Sequence, residues 1–306
     1  MRGTILNVCL STRKGTPKRE VERVFLRRHH GLDGDAHAGP WHRQVSLLDA
    51  GDISDMKAKG LTLKPGAFGE NLVISGLNTR NLGIGSRLRL DEAEVEITQI
   101  GKVCHTRCAI YYQAGDCIMP RHGLFASVTR DGDVHTGSAV EVVHSLPRAT
   151  VQAAVLTPVG REDAGDAATG ILEDVLGAHI AWRGQAPGST DEVIALIRQL
   201  CGRGLDLVVA LVSDSPADSI PKEAVRAIID GPCGVPATGS LIYGTGAGAV
   251  LIAVRARDSA DVLRSLAPSL GSAVAELRRT RAAENGDQWT GPTMPTVRMD
   301  DEAPEA

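Results

Sequence analysis

The sequence predicts two domains of different class: an N-terminal mainly-β barrel, then an α/β three-layer domain with a mostly parallel sheet. Three observations lead there. Short runs of alternating apolar residues, punctuated by Gly- and Asp-rich turns, fill the first half. From Val151 onward, apolar strand-like runs alternate with amphipathic helix-like runs. Between the halves, HSLPRATVQ (144–152) sets a proline between two strand-like segments, and 306 residues suffice for two cores. The expected domains are 1–146 and 150–280. The tail 281–306 mixes Pro, Gly and charge without a period and is expected to be disordered.

In the first half, GTILNVCLS (3–11) and REVERVFL (19–26) carry β-branched residues with partial alternation. SRLRLDEAEVEITQI (86–100) alternates more cleanly, through Leu88, Leu90, Val95 and Ile97, and GSAVEVVHS (137–145) continues the style. LLDAGDISDMKAKG (47–60) reads as an amphipathic helix stopped by glycine. The turn segments GLDGDAHAG, KPGAFGEN, GLNTRNLGIGS and TRDGDVHTG recur at short intervals.

In the second half, TVQAAVLTP (150–158), LDLVVALVSD (205–214) and AGAVLIAVRA (247–256) read as buried strands. AGDAATGILEDVLGAHI (164–180), DEVIALIRQLCGRG (191–204), PKEAVRAIIDG (221–231) and SADVLRSLAPSLGSAVAELRR (259–279) read as helices, the last with a mid-course proline that favours a kink. GTGAGAVLIAV (244–254) resembles a nucleotide loop only superficially. Its glycines precede a strand, whereas a dinucleotide loop follows one, so Gly244, Gly246 and Gly248 are read as a turn.

A net charge of −4 gives no basic footprint for nucleic acid, and no apolar run approaches the ~20 residues that span a bilayer. The N-terminal apolar stretch is too short and too soon charged for a signal peptide, so a cytoplasmic location is expected. In that compartment clustered cysteines suggest metal binding or thiol chemistry more than disulfides.

The cluster is KVCHTRCAIYYQAGDCIMPRHGLFASV (102–128), which holds half of the six cysteines. A zinc site built from Cys104, Cys108, Cys117 and His122 fits poorly, because only the first pair has a usual ligand spacing. His37 and His42, five apart, suit neither a helix face nor alternate strand positions. A reactive thiol fits Cys108 better: Arg107 and His105 are close in sequence, and cationic neighbours draw a thiol pKa down from about 8.5. Cys104 could resolve a sulfenic acid or persulfide formed there. Cys9 is expected to pack in the core, and Cys117 in the core or the site wall. Asp35, His37, Glu70 and Asn71 have bland readings as turn caps and braces beside a functional one.

GDAHAGPWHRQVSLL (34–48), GAFGENLVISGL (66–77), IGSRLRL (84–90), VEITQIGKVCH (95–105) and CAIYYQAGDCIMPRHGLFASV (108–128) resemble, in order, the MOSC domain, the C-terminal module of molybdenum cofactor sulfurases. The resemblance covers roughly residues 1–143. It implies a molybdenum cofactor (molybdenum bound to molybdopterin), with Cys108 as the sulfur carrier or direct ligand to molybdenum. A pterin and its phosphate want paired donors and acceptors and cationic groups, which His37, Arg43, Asn71 and Arg121 would supply with Asp35 and Glu70.

The second half is similar to a degenerate MogA/MoaB molybdopterin-binding domain. In DLVVALVSDSPADSIPKEAVRAI (206–228), Asp218 and IPKEA keep the end of that family's pattern. VSDSPAD replaces its Gly/Thr loop, and Asp214 and Asp218 would repel phosphate. A docking or dimerisation role follows for this domain.

The leading expectation is a protein that binds the pterin cofactor or carries its sulfur for delivery to a recipient molybdoenzyme. A separate cysteine desulfurase would supply the sulfur, and neither nucleic acid nor membrane is an expected partner. A molybdenum-dependent small oxidoreductase and a zinc- or thiol-based regulatory protein without cofactor are the alternatives.

Overall fold

The computed structural model describes residues 2–102, 109–115, 117–212, 241–246 and 249–284. They form two compact units, 1–150 and 151–306.

The first unit is built on a closed ring of seven strands: β1 (Arg2–Leu10), β5 (Val45–Asp49), β6 (Leu72–Ser75), β7 (Arg87–Leu90), β8 (Ala93–Ile100), β9 (Leu124–Arg130) and β11 (Ala139–His144). Around the ring the order is β11-β7-β8-β9-β5-β6-β1, and β1 closes back on β11 with Arg2 opposite Glu141 and Thr4 opposite Ala139. Every pairing is antiparallel except β5 with β6. Closure removes the unpaired edges an open sheet would leave. β2 (Arg19–Val21) extends β1, while β3 (Arg23–Arg27), β4 (Gly31–Leu32) and β10 (Gly132–His135) make a separate small sheet.

Alternation explains the ring. Buried and half-buried residues alternate without a break along β8, so Val95 and Ile97 join Ile5, Leu47, Leu72, Leu88 and Val140 in the core. A satellite cluster of Leu48, Met56, Cys117, Ile118, Met119 and Phe125 lies beneath three short helices, α1 (Ala50–Ala58), α2 (Ala109–Ala114) and α3 (Met119–His122). Asp49 caps α1 by accepting from the Gly51 amide at 2.7 Å. The helix expected from Leu47 therefore starts later: Leu47 and Leu48 are buried in β5, between β6 and β9.

The second unit carries a five-stranded sheet of β12 (Gln152–Thr157), β13 (His179–Gln185), β14 (Leu207–Val212), β15 (Leu241–Gly246) and β16 (Ala249–Arg255), in the order β13-β12-β14-β16-β15. All pairings are parallel except β15 with β16. β12 and β14 are buried at every position, as expected of strands covered on both faces. Leu207, Val209 and Leu211 of β14 meet α4 (Glu162–Leu176) and α6 (Ser259–Glu284), whose Ala168, Leu172, Leu263 and Leu270 share their cluster. α5 (Thr190–Cys201) packs on β14 through a separate set of buried residues and opens with a Ser189–Glu192 capping box.

Three differences from the sequence reading have plain causes. Gly244 and Gly246 are not turn residues; they pair within β15 opposite Leu251 and Ala249, and Gly248 lies outside the described residues. β13 has no continuous apolar run because it is a half-exposed edge strand, and the stretch read as helix through Ile180 ends at Gly177, whose left-handed φ of 57° stops α4. α6 runs uninterrupted past Pro268 to Glu284, four residues into the segment expected to be disordered. The helix expected at 221–231, and Asp214 and Asp218, lie outside the described residues.

Candidate functional site

Three loops of the barrel unit meet at one carboxylate. Asp35, in the loop after β4, is buried and accepts five hydrogen bonds. Its Oδ2 takes the Lys18 ammonium at 2.6 Å and the Ser11 amide and Asn71 Nδ2, both at 3.1 Å. Its Oδ1 takes the His37 amide at 2.9 Å and faces His37 Nδ1 at 3.2 Å. Burial alone would raise the Asp35 pKa, but these donors, Lys18 foremost, outweigh it and hold the group below its ordinary value.

Asn71 is spent in the same network. Its Nδ2 also donates to the Cys9 carbonyl at 3.0 Å, and its Oδ1 accepts from the amide and hydroxyl of Ser46 at 3.1 and 2.9 Å. Glu70 is wholly buried and braces its own turn: Oε1 accepts from the Gly66 amide at 2.7 Å and Oε2 from that of Phe68 at 3.0 Å. Burial pushes its carboxyl up in spite of those bonds. Gly66 has φ +84°, and a Cβ there would stand 2.3 Å from the Lys18 carbonyl oxygen, so only glycine lets the two loops touch. Asp35, Glu70 and Asn71 are thus engaged in internal bonds that hold the neighbouring loops together.

His37 and Arg43 stand at the edge of this network. The His37 side chain is 32% exposed, and its Nδ1 lies 3.5 Å from Lys18 Nζ. Burial first, then the charges of Lys18 and Lys102, lower its pKa, so at neutral pH the ring is uncharged. The Trp41 indole N–H donates to the His37 carbonyl at 2.7 Å, and the Arg43 guanidinium sits 4.6 Å over the Trp41 ring. Arg43 Nη1 donates to Gln99 Oε1 at 3.3 Å; the same oxygen faces His42 Nε2 at 3.0 Å, and Gln99 Nε2 donates to the Gly101 carbonyl at 2.7 Å.

That last bond links Arg43, through Gln99, to Gly101, the residue before the cysteine motif. The amides of Gly101 and Lys102 donate to the carbonyls of Gly123 and Met119, at 2.8 and 3.2 Å, which pins the chain against α3 just before residue 103. Arg121, on α3, is half-buried, and its carbonyl accepts from Arg148 at 2.6 Å. Cys104 and Cys108 lie outside the described residues. Cys9, Cys117 and Cys201 are buried, with Cys9 and Cys201 pushed up to about 12, chiefly by desolvation.

A second cluster lies on α1. Asp52 Oδ1 takes Arg80 at 2.5 Å and faces His122 Nδ1 at 2.9 Å, beside a cavity of about 310 Å³ lined by Asp49, Asp55, Asn78 and Thr79. Among the described residues no three His, Cys, Asp or Glu side chains are arranged to hold a metal ion. No described helix is long and apolar enough to cross a membrane.

Sequence reasoning missed Lys18, Trp41, Gln99 and Lys102. Lys18 belongs to RKGTPKRE, a stretch with the charge of a solvated turn, and nothing in that pattern announces a buried lysine.

The MOSC domain family matches residues 27–141, all within the barrel unit. YflK, an uncharacterized protein of Bacillus subtilis, is 26% identical over 141 residues, or 42% of this chain, and the chain spans only 63% of that protein's length. Among solved structures, the YuaD protein of Bacillus subtilis is 18% identical with a TM-score of 0.42, covering 48% of this chain and 97% of its own. A molybdopterin biosynthesis protein from Mycobacterium abscessus is 14% identical with a TM-score of 0.36, covering 44% of this chain and 99% of its own.

Proposed function

We propose that this protein handles the molybdenum cofactor: the barrel domain, placed at residues 1–146, binds the pterin cofactor or carries its sulfur on Cys108 for a recipient molybdoenzyme. The MOSC match over 27–141 supports the family side of the reading. The observation that carries it is the junction at Gln99 and Lys102, where the His37–Arg43 face meets the start of the cysteine motif.

The groups on that face suit such a cofactor. With Nδ1 facing Asp35, uncharged His37 offers Nε2 as an acceptor, and Arg43 and Arg121 offer guanidinium donors, to a heterocycle with paired donors and acceptors. Asp35, Asn71 and Glu70 contribute by positioning, since their own bonds are filled internally. When bound, the cofactor would supply a metal centre for sulfur or oxygen chemistry, with Cys108 as its thiolate ligand. As a carrier, the Cys108 thiolate would attack the terminal sulfur of a donor persulfide. The donor's S–S bond breaks, its thiol leaves, and a persulfide remains on Cys108 with no net oxidation. Cys104 would then attack the inner sulfur of that persulfide, forming a Cys104–Cys108 disulfide as the outer sulfur leaves as hydrosulfide. The α/β domain, placed at 150–280, is proposed as a degenerate MogA/MoaB-like docking or dimerisation module.

The test is to express the protein in a host that makes the cofactor and measure molybdenum, zinc and pterin in the purified chain. Pterin and molybdenum near one per chain support cofactor binding, and a persulfide on Cys108 by mass spectrometry supports the carrier form. Zinc alone, or neither cofactor nor persulfide, overturns the reading.

A further inference from the structure

Asp52 carries a carboxylate oxygen that the fold leaves unfilled. Its side chain is 2% exposed, and it lines the cavity of about 310 Å³ at the start of α1. One oxygen, Oδ1, is occupied by Arg80 and His122. The other, Oδ2, is buried in the cavity wall and has no hydrogen-bond donor among the described residues. Burial alone would raise the Asp52 pKa, but the bonds from His122 and Arg80 outweigh it, so the group is charged. A charged oxygen taken out of water without a donor costs free energy, and such a group calls for a donor from outside the fold.

The rest of the wall is acidic as well. Asp49 and Asp55 line the same cavity, and Arg80 is the one basic side chain among the described lining residues. That single guanidinium serves Asp52 at 2.5 Å and Asp55 at 3.8 Å. Burial, with the charge of Asp52 adding to it, raises the Asp49 pKa. The positive end of α1 accounts for acids at Asp49 and Asp52, and capping accounts for the Asp49 bond to the Gly51 amide. Neither accounts for an unfilled oxygen on a buried side chain, or for Asp55, a turn further along on the same cavity.

Size and chemistry narrow the missing donor. The cavity falls at the low end of small-molecule pockets, about 300–1,000 Å³. No three described His, Cys, Asp or Glu side chains are arranged for a metal ion, so the cation is one that brings N–H donors. An ammonium carries three such donors in a compact head on a flexible stem, which suits a recessed oxygen better than a planar guanidinium fork does. We infer that this cavity binds the primary ammonium group of a small organic amine, with Asp52 Oδ2 as its innermost acceptor and Asp49 and Asp55 completing the countercharge. Leu77, buried in the lining, offers apolar surface for the carbon stem. The site shares no residue with the His37–Arg43 face, and the inference does not rest on the cofactor reading.

The test uses the full chain with n-butylammonium as the probe and tetramethylammonium as the control, at constant ionic strength. The control has the same charge and no N–H donor. NMR follows the backbone amides of Gly51 and Thr79 at the cavity. Both signals should shift saturably with n-butylammonium and not with tetramethylammonium. Asp52→Asn, which keeps the shape and removes the charge, should weaken binding about tenfold or more, equivalent to about 1.4 kcal/mol. Asp49→Asn combined with Asp55→Asn should weaken it as well, with α1 still capped by asparagine and the Asp52 bonds to Arg80 and His122 untouched. No saturable shift, an equal response to both cations, or an affinity equal in wild type and a folded Asp52→Asn overturns the inference. Should Asp52→Asn not fold, undiminished affinity in the Asp49→Asn, Asp55→Asn double variant overturns it equally.

Discussion

Lys18 and Asp35 meet at 2.6 Å inside the barrel unit, with side chains only 2% and 0% exposed. Removing one partner of a buried pair strands the other charge, which typically costs about 3–5 kcal/mol. Lys18→Met should therefore lower the stability of the barrel unit by that order, measured by urea denaturation. Adding Asp35→Asn to Lys18→Met should cost much less than the sum of the two single changes. Additive losses would mean the pair is not coupled.

The Asn71 amide donates toward a carboxylate, so Asn71→Asp would set a second acid 3.1 Å from Asp35 Oδ2. Like charges so close raise one pKa strongly. At neutral pH the variant should be less stable than Asn71→Ala, which itself loses about 1–3 kcal/mol for each stranded partner. On acidification to about pH 4 the gap between the two should narrow. A pH-independent gap in the urea midpoints would refute the charge argument.

His37 carries a pH signature. Its folded pKa lies below its ordinary value of 6.5, so the unfolded chain takes up this proton first as pH falls. Its contribution to stability is present above about pH 6.5 and is lost as pH drops through the depressed folded value. Melting curves from pH 8 to 5 should show the wild type losing stability relative to His37→Gln. Parallel curves would show that neither burial nor the charges of Lys18 and Lys102 depress the ring's pKa.

Thiol chemistry separates the cysteines. Cys9 and Cys201, pushed up to about 12, should resist iodoacetamide at pH 8 until the chain is denatured. Cys108 should react first in the native protein, and Cys108→Ser should abolish persulfide formation and metal retention with the fold intact. Peptide mass spectrometry after timed alkylation reads the first, and metal analysis the second. Native labelling of Cys9 before Cys108 would contradict the assignment.

Gly101 precedes the cysteine motif with φ +73°, and a Cβ there would fall 2.0 Å from the Pro120 carbonyl oxygen. Gly101→Ala should cost about 1–3 kcal/mol from backbone strain alone, plus the clash with α3. It should also change the alkylation rate of Cys108 while sparing Cys201 in the other unit. An unchanged Cys108 rate would separate the motif from the α3 contact.

The barrel was legible in sequence where one face of a strand is buried, as in β8, whose alternation runs unbroken. It was less legible in REVERVFL, which divides at Glu22 into strands of two different sheets. Asp35, His37 and Asn71 stood out as polar groups on glycine turns, but one sequence could not tell a ligand contact from a brace. Three-dimensional bonding adds what the sequence lacks: Asn71 and Asp35 are bonded internally, and His37 and Arg43 stand at the edge of that network. Lys18 was invisible for the same reason: only the contact of its loop with Gly66 and Asp35 takes it out of water.

The closure of β1 on β11 sets a limit on dissection. A fragment cut to the family-matched span, 27–141, discards β1 and β2 and with them Lys18. Such a fragment is a cask with a stave pulled out: β6 and β11 gain raw edges that invite self-association, and Asp35 keeps its burial but loses its cation. The smallest excisable piece with a watertight wall runs from the first strand to the last.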